Sequence, residues 1–414
     1  MNTEKLIKQS NFVLLFFYLL PISFILGNAV LELNIILIVI TFLKEIISDK
    51  SELKKIFKSK LFITLLLFWI YLNINAIFGI NYENSLRRSF FFFKYIFLVF
   101  AFIHFLKQKK LRDNIINVWT IILLCVCFDI FFEFLFGKNI LGFESQLKNE
   151  RIVSFFKDEL IVGSFLGTFI FIIFGKFYED NRIILSITLF SILAFSIFLT
   201  GERSISLKIG FSIFLIIFFV LKEKKLKILT LALSILLALI IFSNEKLKTR
   251  YYTKTFNFVN QNFKNLNIYE AISETKYLNQ FLFSYEILKQ NYLLGVGTKN
   301  YLKACSNLKN TSKNEIIRNK VVNCYTHPHQ FYYEFISEHG VLGTMAILTL
   351  ILILFLKDKN IVMDRKKKRK LFIFKIYIII SLIPIIPTGS FFSSLQLFQF
   401  FINYSFYQIY LLKK

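Results

Sequence analysis

Apolar residues fall along this chain in twelve runs, roughly 11–27, 29–47, 61–79, 89–106, 114–136, 160–176, 183–200, 204–221, 227–243, 340–356, 371–388 and 395–412. A bilayer-crossing helix needs about 20 such residues at 1.5 Å each, and Leu61 to Phe78 carries no charge at all. The runs lack the alternation of a membrane β-strand, and in lipid a helix satisfies its own backbone groups. The pattern therefore predicts an all-α polytopic membrane protein of about twelve spans, the first two joined by a tight hairpin at Gly27-Asn28. Residues 1–29 also admit reading as a signal peptide, with Lys5 and Lys8 ahead of an apolar core. The second apolar run that follows at once, and the lack of an Ala-x-Ala-type cleavage site, oppose that reading.

Composition sharpens the picture where charge enters. The chain has 51 Lys+Arg against 26 Asp+Glu, a formal charge of +25, while 56% of it is apolar and Phe alone fills 54 positions. A nucleic-acid binder gathers its basic residues on a polar face; here they sit between apolar runs. With a cytoplasmic N-terminus, the inside segments hold 28 Lys/Arg and the opposite short loops 7, so both termini are expected in the cytoplasm. Residues 244–339 form one long polar loop on the outside, with 13 Lys/Arg and 7 Asp/Glu. The expected division is 1–243 (nine spans), 244–339 (a periplasmic loop carrying the chemistry) and 340–414 (three spans). No internal repeat and no pair of equal halves is visible, which weighs against a repeat-built transporter.

Within the loop, Ser273 to Gln290 reads as an amphipathic helix with Leu278, Phe281, Leu282, Tyr285 and Leu288 on one face, lying on the membrane surface or packed on the helix bundle. Gly295-Val-Gly297 ends it, either as a plain turn or to let backbone approach a neighbour closely. Cys305 and Cys324 are both external and able to pair in an oxidising compartment. The densest polar cluster is Thr326-His327-Pro328-His329-Gln330. Pro328 suits the first helical position and places His329 in the first turn, where the helix dipole keeps an imidazole neutral and able to accept a proton. A metal site of His327, His329 and Glu334 or Glu338 competes with this, although the i, i+4 spacing of a zinc helix is absent.

Span eight opens with Thr200-Gly201-Glu202-Arg203-Ser204. Thr200 or Ser204 can cap the new helix, and its positive end with Arg203 makes an anion pocket; an Arg snorkelling to lipid phosphate is the plain alternative. Arg87 and Arg88 at the mouth of span four face the same choice. Six charges lie inside the runs: Glu32, Lys94, Asp129, Glu133, Lys208 and Lys375. Asp129 and Glu133, at i, i+4, are expected to pair with Lys94 or Lys208.

Together these residues resemble the bacterial O-antigen ligase family, whose superfamily also holds O-antigen polymerases and O-linked protein oligosaccharyltransferases. The family pattern of His, then Asn, Ser or Gln, nine residues and G-x-x-G-T is met by His329-Gln330, Phe331 to His339 and Gly340-Val-Leu-Gly343-Thr344. Leu293-Leu-Gly-Val-Gly297 resembles its Gly loop, Thr200-Gly-Glu-Arg203-Ser its T-G-x-R-[SG] turn, and Arg151-Ile-Val-Ser-Phe-Phe a further segment. The resemblance covers about residues 150–345.

It implies transfer of a glycan from undecaprenyl pyrophosphate to a lipid A–core sugar hydroxyl on the periplasmic face of the bacterial inner membrane, with inversion, in lipopolysaccharide biosynthesis. The implied partners are that donor, the lipid A–core acceptor and membrane lipids, with no nucleic acid and no cofactor. The absence of a D-x-D cluster agrees with transfer that uses no metal. His329 would be the base and Arg203 a cation for the pyrophosphate, with His327, Gln330, Gly295, Gly297 and Glu338 in support. One departure stands out: where the family carries a second Arg in the loop this chain has Tyr277, leaving Lys276, Arg250 and Arg88 as candidates for the second donor cation. A polymerase of the same superfamily is the near alternative, and a lipid-linked oligosaccharide flippase the distant one.

Overall fold

The computed structural model describes residues 13–145, 151–157, 159–253, 276–311, 324–356, 364–384 and 386–412. Among these every regular element is helical. The chain runs through α1 (Leu20–Ile25), α2 (Asn28–Ser48), α3 (Lys50–Phe57), α4 (Lys60–Ile77), α5 (Tyr82–Phe91), α6 (Phe93–Phe105) and α7 (Lys109–Phe136). It continues with α8 (Val162–Glu179), α9 (Ile183–Leu199), α10 (Arg203–Leu215) and α11 (Lys224–Ser243), then α12 (Lys276–Gln290), α13 (Tyr301–Thr311), α14 (Phe331–Leu356), α15 (Arg365–Ser381) and α16 (Ser394–Leu411).

Seven helical stretches among the described residues are long and apolar enough to cross a membrane: α4, Tyr82–Phe105, α7, α8, Arg203–Val220, α11 and Phe331–Leu354. The chain is thus a multi-pass membrane protein. α9 is as apolar but only 17 residues long, and α2, α15 and α16 add to the same bundle while carrying more polar residues. The main apolar core extends from Val13 to Leu411, and a smaller one gathers Phe283, Ile287, Val296, Tyr301 and Leu308. α8 and α16 lie at its centre, buried along nearly their whole length, whereas α11 buries only Thr230 and Leu237 and turns its leucines outward. Outward leucines are what lipid solvates best, so α11 is a peripheral helix.

Polar contacts sort the connections into two ends. At one end Lys109 pairs with Asp180 at 2.8 Å, buried Arg112 lies 3.6 Å from Glu179, and Lys370 donates to the Glu179 carbonyl. At the other, Ile80 N–H donates to Val296 O, Ile152 N–H to Thr200 O, Val296 N–H to Ser337 O and Thr388 N–H to His329 O. The segments around 80, 152, 200, 296, 329 and 388 therefore meet at one end of the bundle.

Several boundaries differ from the sequence expectation. α5 starts at Tyr82, so Arg87 and Arg88 are helical and not in a loop. α15 stops at Ser381 and not near 388, because Pro384 and Pro387 lie in the next stretch and proline cannot continue a helical hydrogen-bond ladder. Residues 382–384 and 386–393 instead form a folded connection in the site end. Glu202, and neither Thr200 nor Ser204, occupies the N-cap of α10, and its carboxylate serves other donors. Asp129 and Glu133 do not meet Lys94 or Lys208. Glu133 accepts from the N–H groups of Val153 and Ser154, and Asp129 from Ile140 N–H and the Ser154 hydroxyl, so the pair anchors an irregular segment onto α7. Lys94 pairs with Glu32. α12 also presents a different face: Gln280, Phe283, Ser284 and Ile287 are buried while Tyr285 is exposed. Gln280 accepts the Tyr301 hydroxyl at 2.7 Å, so a polar contact and not the strongest apolar stripe sets the rotation of the helix.

Candidate active site

The histidine motif is held by the start of α14. Gln330 takes the N-cap position, and its side-chain oxygen accepts from the N–H groups of Tyr332 (2.6 Å) and Tyr333 (3.3 Å), satisfying two of the helix's orphan donors. Its amide nitrogen donates to the Pro384 carbonyl at 2.9 Å, tying the motif to the connection after α15. His329 thus lies two residues before the helix and not in its first turn, because Gln330 takes the capping role and helical geometry begins only at Phe331. Its backbone adopts φ +56, and its carbonyl accepts from Thr388 N–H at 2.8 Å. A non-glycine residue in that region costs about 1–3 kcal/mol and persists where its neighbours fix it, as the Gln330–Pro384 and His329–Thr388 bonds do here.

His327 and His329 face each other with ring centroids 4.4 Å apart, and Tyr325 packs at 5.0 Å on His329. Burial first, then the proximity of His329 and of Lys299, hold the His327 imidazole down to about 3, so it stays neutral at physiological pH. His339 stands apart. It packs on Phe392, its Nδ1 lies 3.3 Å from the Tyr71 hydroxyl, and its Nε2 meets no partner among the described residues. It belongs to helix packing.

His329 lines a cavity of about 210 Å³ together with Ser164, Ser204, Lys208, Tyr377, Thr388 and Gln396. No carboxylate is among its lining residues, so Lys208 sets its charge. Such a cavity can hold an anionic group beside an imidazole placed to accept a proton.

The glycine loop supplies the wall behind the motif. α14 breaks at Gly340 (φ +62), and Gly295 (φ +67) lies directly against the break. A Cβ on Gly295 would meet backbone atoms of Glu338, His339 and Gly340, each at 2.5 Å. Four backbone bonds lock the two segments: Val296 and Gly297 N–H to Ser337 and Glu338 O, and Val341 and Leu342 N–H to Tyr292 and Leu293 O. Close backbone approach, and not a plain turn, is the role of Gly295; Gly297 likewise packs on Gly79. Gly343 in the same motif gives Tyr71 room to reach His339, since a Cβ there would sit 1.7 Å from the Tyr71 oxygen.

The two acidic residues of the motif face inward. Glu338 accepts from Lys299 N–H (2.8 Å) and Tyr301 N–H (3.2 Å), which closes the start of α13. Glu334 accepts from Phe391 N–H at 2.7 Å and from the Ser390 hydroxyl, and lies 3.8 Å from the Lys299 ammonium. With both carboxylates engaged this way, neither completes the metal set that His-Pro-His suggested. Cys305, midway along α13, is joined to Cys324 as a disulfide.

The other candidates disperse. Arg203 begins α10 and makes no hydrogen bond or ion pair among the described residues, yet it does not line the His329 cavity; its neighbour Ser204 does. Arg250 donates to the Gly201 carbonyl at 3.0 Å, so it flanks the same turn. Arg151 lies 3.8 Å from Glu202, which also accepts from Gly163 N–H at 2.7 Å. Burial raises the Glu202 carboxyl above its ordinary range, against the pull of Arg151. Arg88 occupies a separate cavity with Arg87, Lys94 and Glu32. The connection between α15 and α16 lines both cavities, through Thr388 and Gly389 on one side and Phe392 on the other. The Lys276 side chain lies outside the described residues. Lys208, Lys299, Thr388 and Ser390 were not singled out as site residues from sequence; only Lys208 carried a signal there, as a charge inside an apolar run.

Residues 188–348 match the family model described as O-antigen ligase. The match takes in Arg203, Lys208, Arg250, the Gly295 loop and the His329 motif. No individually curated protein matches the chain.

Proposed function

Since residues 188–348 belong to the O-antigen ligase family, we propose that this chain is a membrane glycosyltransferase that ligates a glycan from undecaprenyl pyrophosphate onto a sugar hydroxyl of lipid A–core. The observation that carries the reading is the placement of His329, the motif histidine, on a carboxylate-free polar cavity at the bundle end where the Arg203 turn also lies. The acceptor hydroxyl gives its proton to His329 as its oxygen bonds to the anomeric carbon. The bond from that carbon to the pyrophosphate oxygen breaks, and its electron pair leaves on the pyrophosphate. Attack opposite the leaving group inverts the anomeric centre.

Charge-assisted hydrogen bonds hold the departing pyrophosphate. Arg203, whose guanidinium makes no hydrogen bond or ion pair among the described residues, and Arg250, at the same turn, fit that role best; Arg88 and Lys276 are the weaker candidates. No step calls for a metal or a cofactor. Residues 244–339 act as the catalytic loop between the membrane segments 1–243 and 340–414. Both termini face the cytoplasm of a bacterial inner membrane, with the site in the periplasm.

The test is transfer by purified protein given lipid-linked glycan and lipid A–core without added metal. General-base catalysis contributes about 10²- to 10⁴-fold, so His329→Ala should lose at least about a hundredfold in kcat, and Arg203→Ala should fall sharply too. Full activity of His329→Ala would remove it as the base. A product in which lipid-linked glycan lengthens while lipid A–core stays bare would identify a polymerase, and movement of lipid-linked glycan across the bilayer without transfer a flippase.

A further inference from the structure

Of the six charges inside the apolar runs, five have protein partners. Lys94 pairs with Glu32, Asp129 and Glu133 accept from the 140–154 segment, and Lys375 lies 5.1 Å from the Tyr407 ring centroid. Lys208 alone of the six makes no hydrogen bond, ion pair or ring contact among the described residues. An uncompensated ammonium within an apolar bundle is costly unless something neutralises it. It does not face lipid either, since it lines the cavity that His329 lines.

Its place on α10 fits an anion held below the membrane surface. Lys208 lies five residues after Arg203, about 7.5 Å further along the helix axis. It shares a face with Ser204, four residues earlier, and both line the cavity. With no carboxylate in that lining, the cavity offers a cation together with the Ser204 hydroxyl and the Gln396 amide. This is the donor set that phosphate oxygens require. A phosphate borne on a lipid chain reaches that depth with its tail still in the bilayer, whereas a free phosphate has no such anchor.

We infer that Lys208 is a phosphate-binding residue of the donor site, holding the prenyl-linked diphosphate next to His329 while Arg203 and Arg250 act at the mouth. This assignment rests on the glycosyl-transfer reading and gives the cation missing at Tyr277 a different location, inside the bundle.

The experiment is direct binding by the full chain in detergent, with undecaprenyl pyrophosphate carrying no glycan, undecaprenol and inorganic pyrophosphate as probes. It compares the native protein with Lys208→Met and Lys208→Arg, each checked for a single gel-filtration peak. The expected result is that Lys208→Met weakens undecaprenyl pyrophosphate by about tenfold or more, leaves undecaprenol unchanged, and that Lys208→Arg restores most of the loss. Equal affinity of native protein and Lys208→Met would overturn the assignment and leave the transferase reading intact. Loss of undecaprenol binding in step with the diphosphate would also overturn it, by showing a packing role. Inorganic pyrophosphate bound as tightly, with the same dependence on Lys208, would make this a soluble-anion site and overturn the lipid assignment. Failure of the native protein to bind undecaprenyl pyrophosphate at all would overturn both readings.

Discussion

Two imidazoles 4.4 Å apart cannot both carry a proton cheaply, and burial keeps His327 neutral. His327 is held at about 3 by burial, with His329 and Lys299 adding to the effect. An ordinary histidine titrates near 6.5. Because the folded value is the lower one, the unfolded chain binds the extra proton first as pH falls. The contribution of His327 to stability is therefore complete above pH about 6.5 and is lost progressively towards pH 3. Melting curves of the native protein and of His327→Asn should then diverge between pH 7.5 and 4.5, the native protein losing more on acidification. Parallel curves would mean that the burial of His327 has no thermodynamic weight. The sequence showed the histidines but not their pairing, since the proline between them fixes φ without fixing the turn. That turn depends on Thr388 and Pro384, more than fifty residues away, whose own role no local pattern reveals.

At the scale of elements, the Gly295 loop and the broken α14 act as one unit, and their glycines are not interchangeable with others in the chain. Gly295 is left-handed and its missing Cβ is surrounded by backbone, so no side chain can move aside for it. Gly295→Ala should cost about 2 kcal/mol or more from backbone conformation and overlap together, seen as a lowered melting temperature and loss of folded yield. Gly210, on α10, has nothing within 4 Å of its Cβ position, and Gly210→Ala should be neutral or mildly stabilising, as expected for a helix interior. Equal effects of the two substitutions would refute the docking of loop on helix break. These elements were readable in advance to different degrees. Seven of the twelve expected spans correspond to helices long and apolar enough to cross a membrane among the described residues, and the Gly loop and the histidine motif stood out by their spacing. The rotation of α12 did not, because aromatic and aliphatic residues on several of its sides leave the phase of the helix to its partner, here Tyr301 through Gln280. The partners of Asp129 and Glu133 were equally hidden, being backbone N–H groups of an irregular segment.

For the whole molecule, the distribution of charge and the folded contacts divide the connections into the same two groups by independent routes. Counting Lys and Arg separates the connections around 109, 180 and 370 from those around 80, 152, 200 and 390. The contacts gather the same two groups at opposite ends: Lys109, Arg112 and Lys370 with Asp180 and Glu179 at one, and the site segments at the other. A charge count cannot know about packing, and packing does not depend on which leaflet attracts cations, so their agreement constrains topology more than either alone. The proposed orientation puts exposed Asn84, on α5, outside and exposed Lys110, on α7, in the cytoplasm. In a background with Cys125 and Cys127 replaced by serine, a membrane-impermeant maleimide added to cells with a permeabilised outer membrane should label Asn84→Cys. It should reach Lys110→Cys only after the inner membrane is opened. The reverse pattern would put His329 on the cytoplasmic side, away from the periplasmic face on which the proposed transfer takes place. The ligase reading would then fail, even if His329 proved essential.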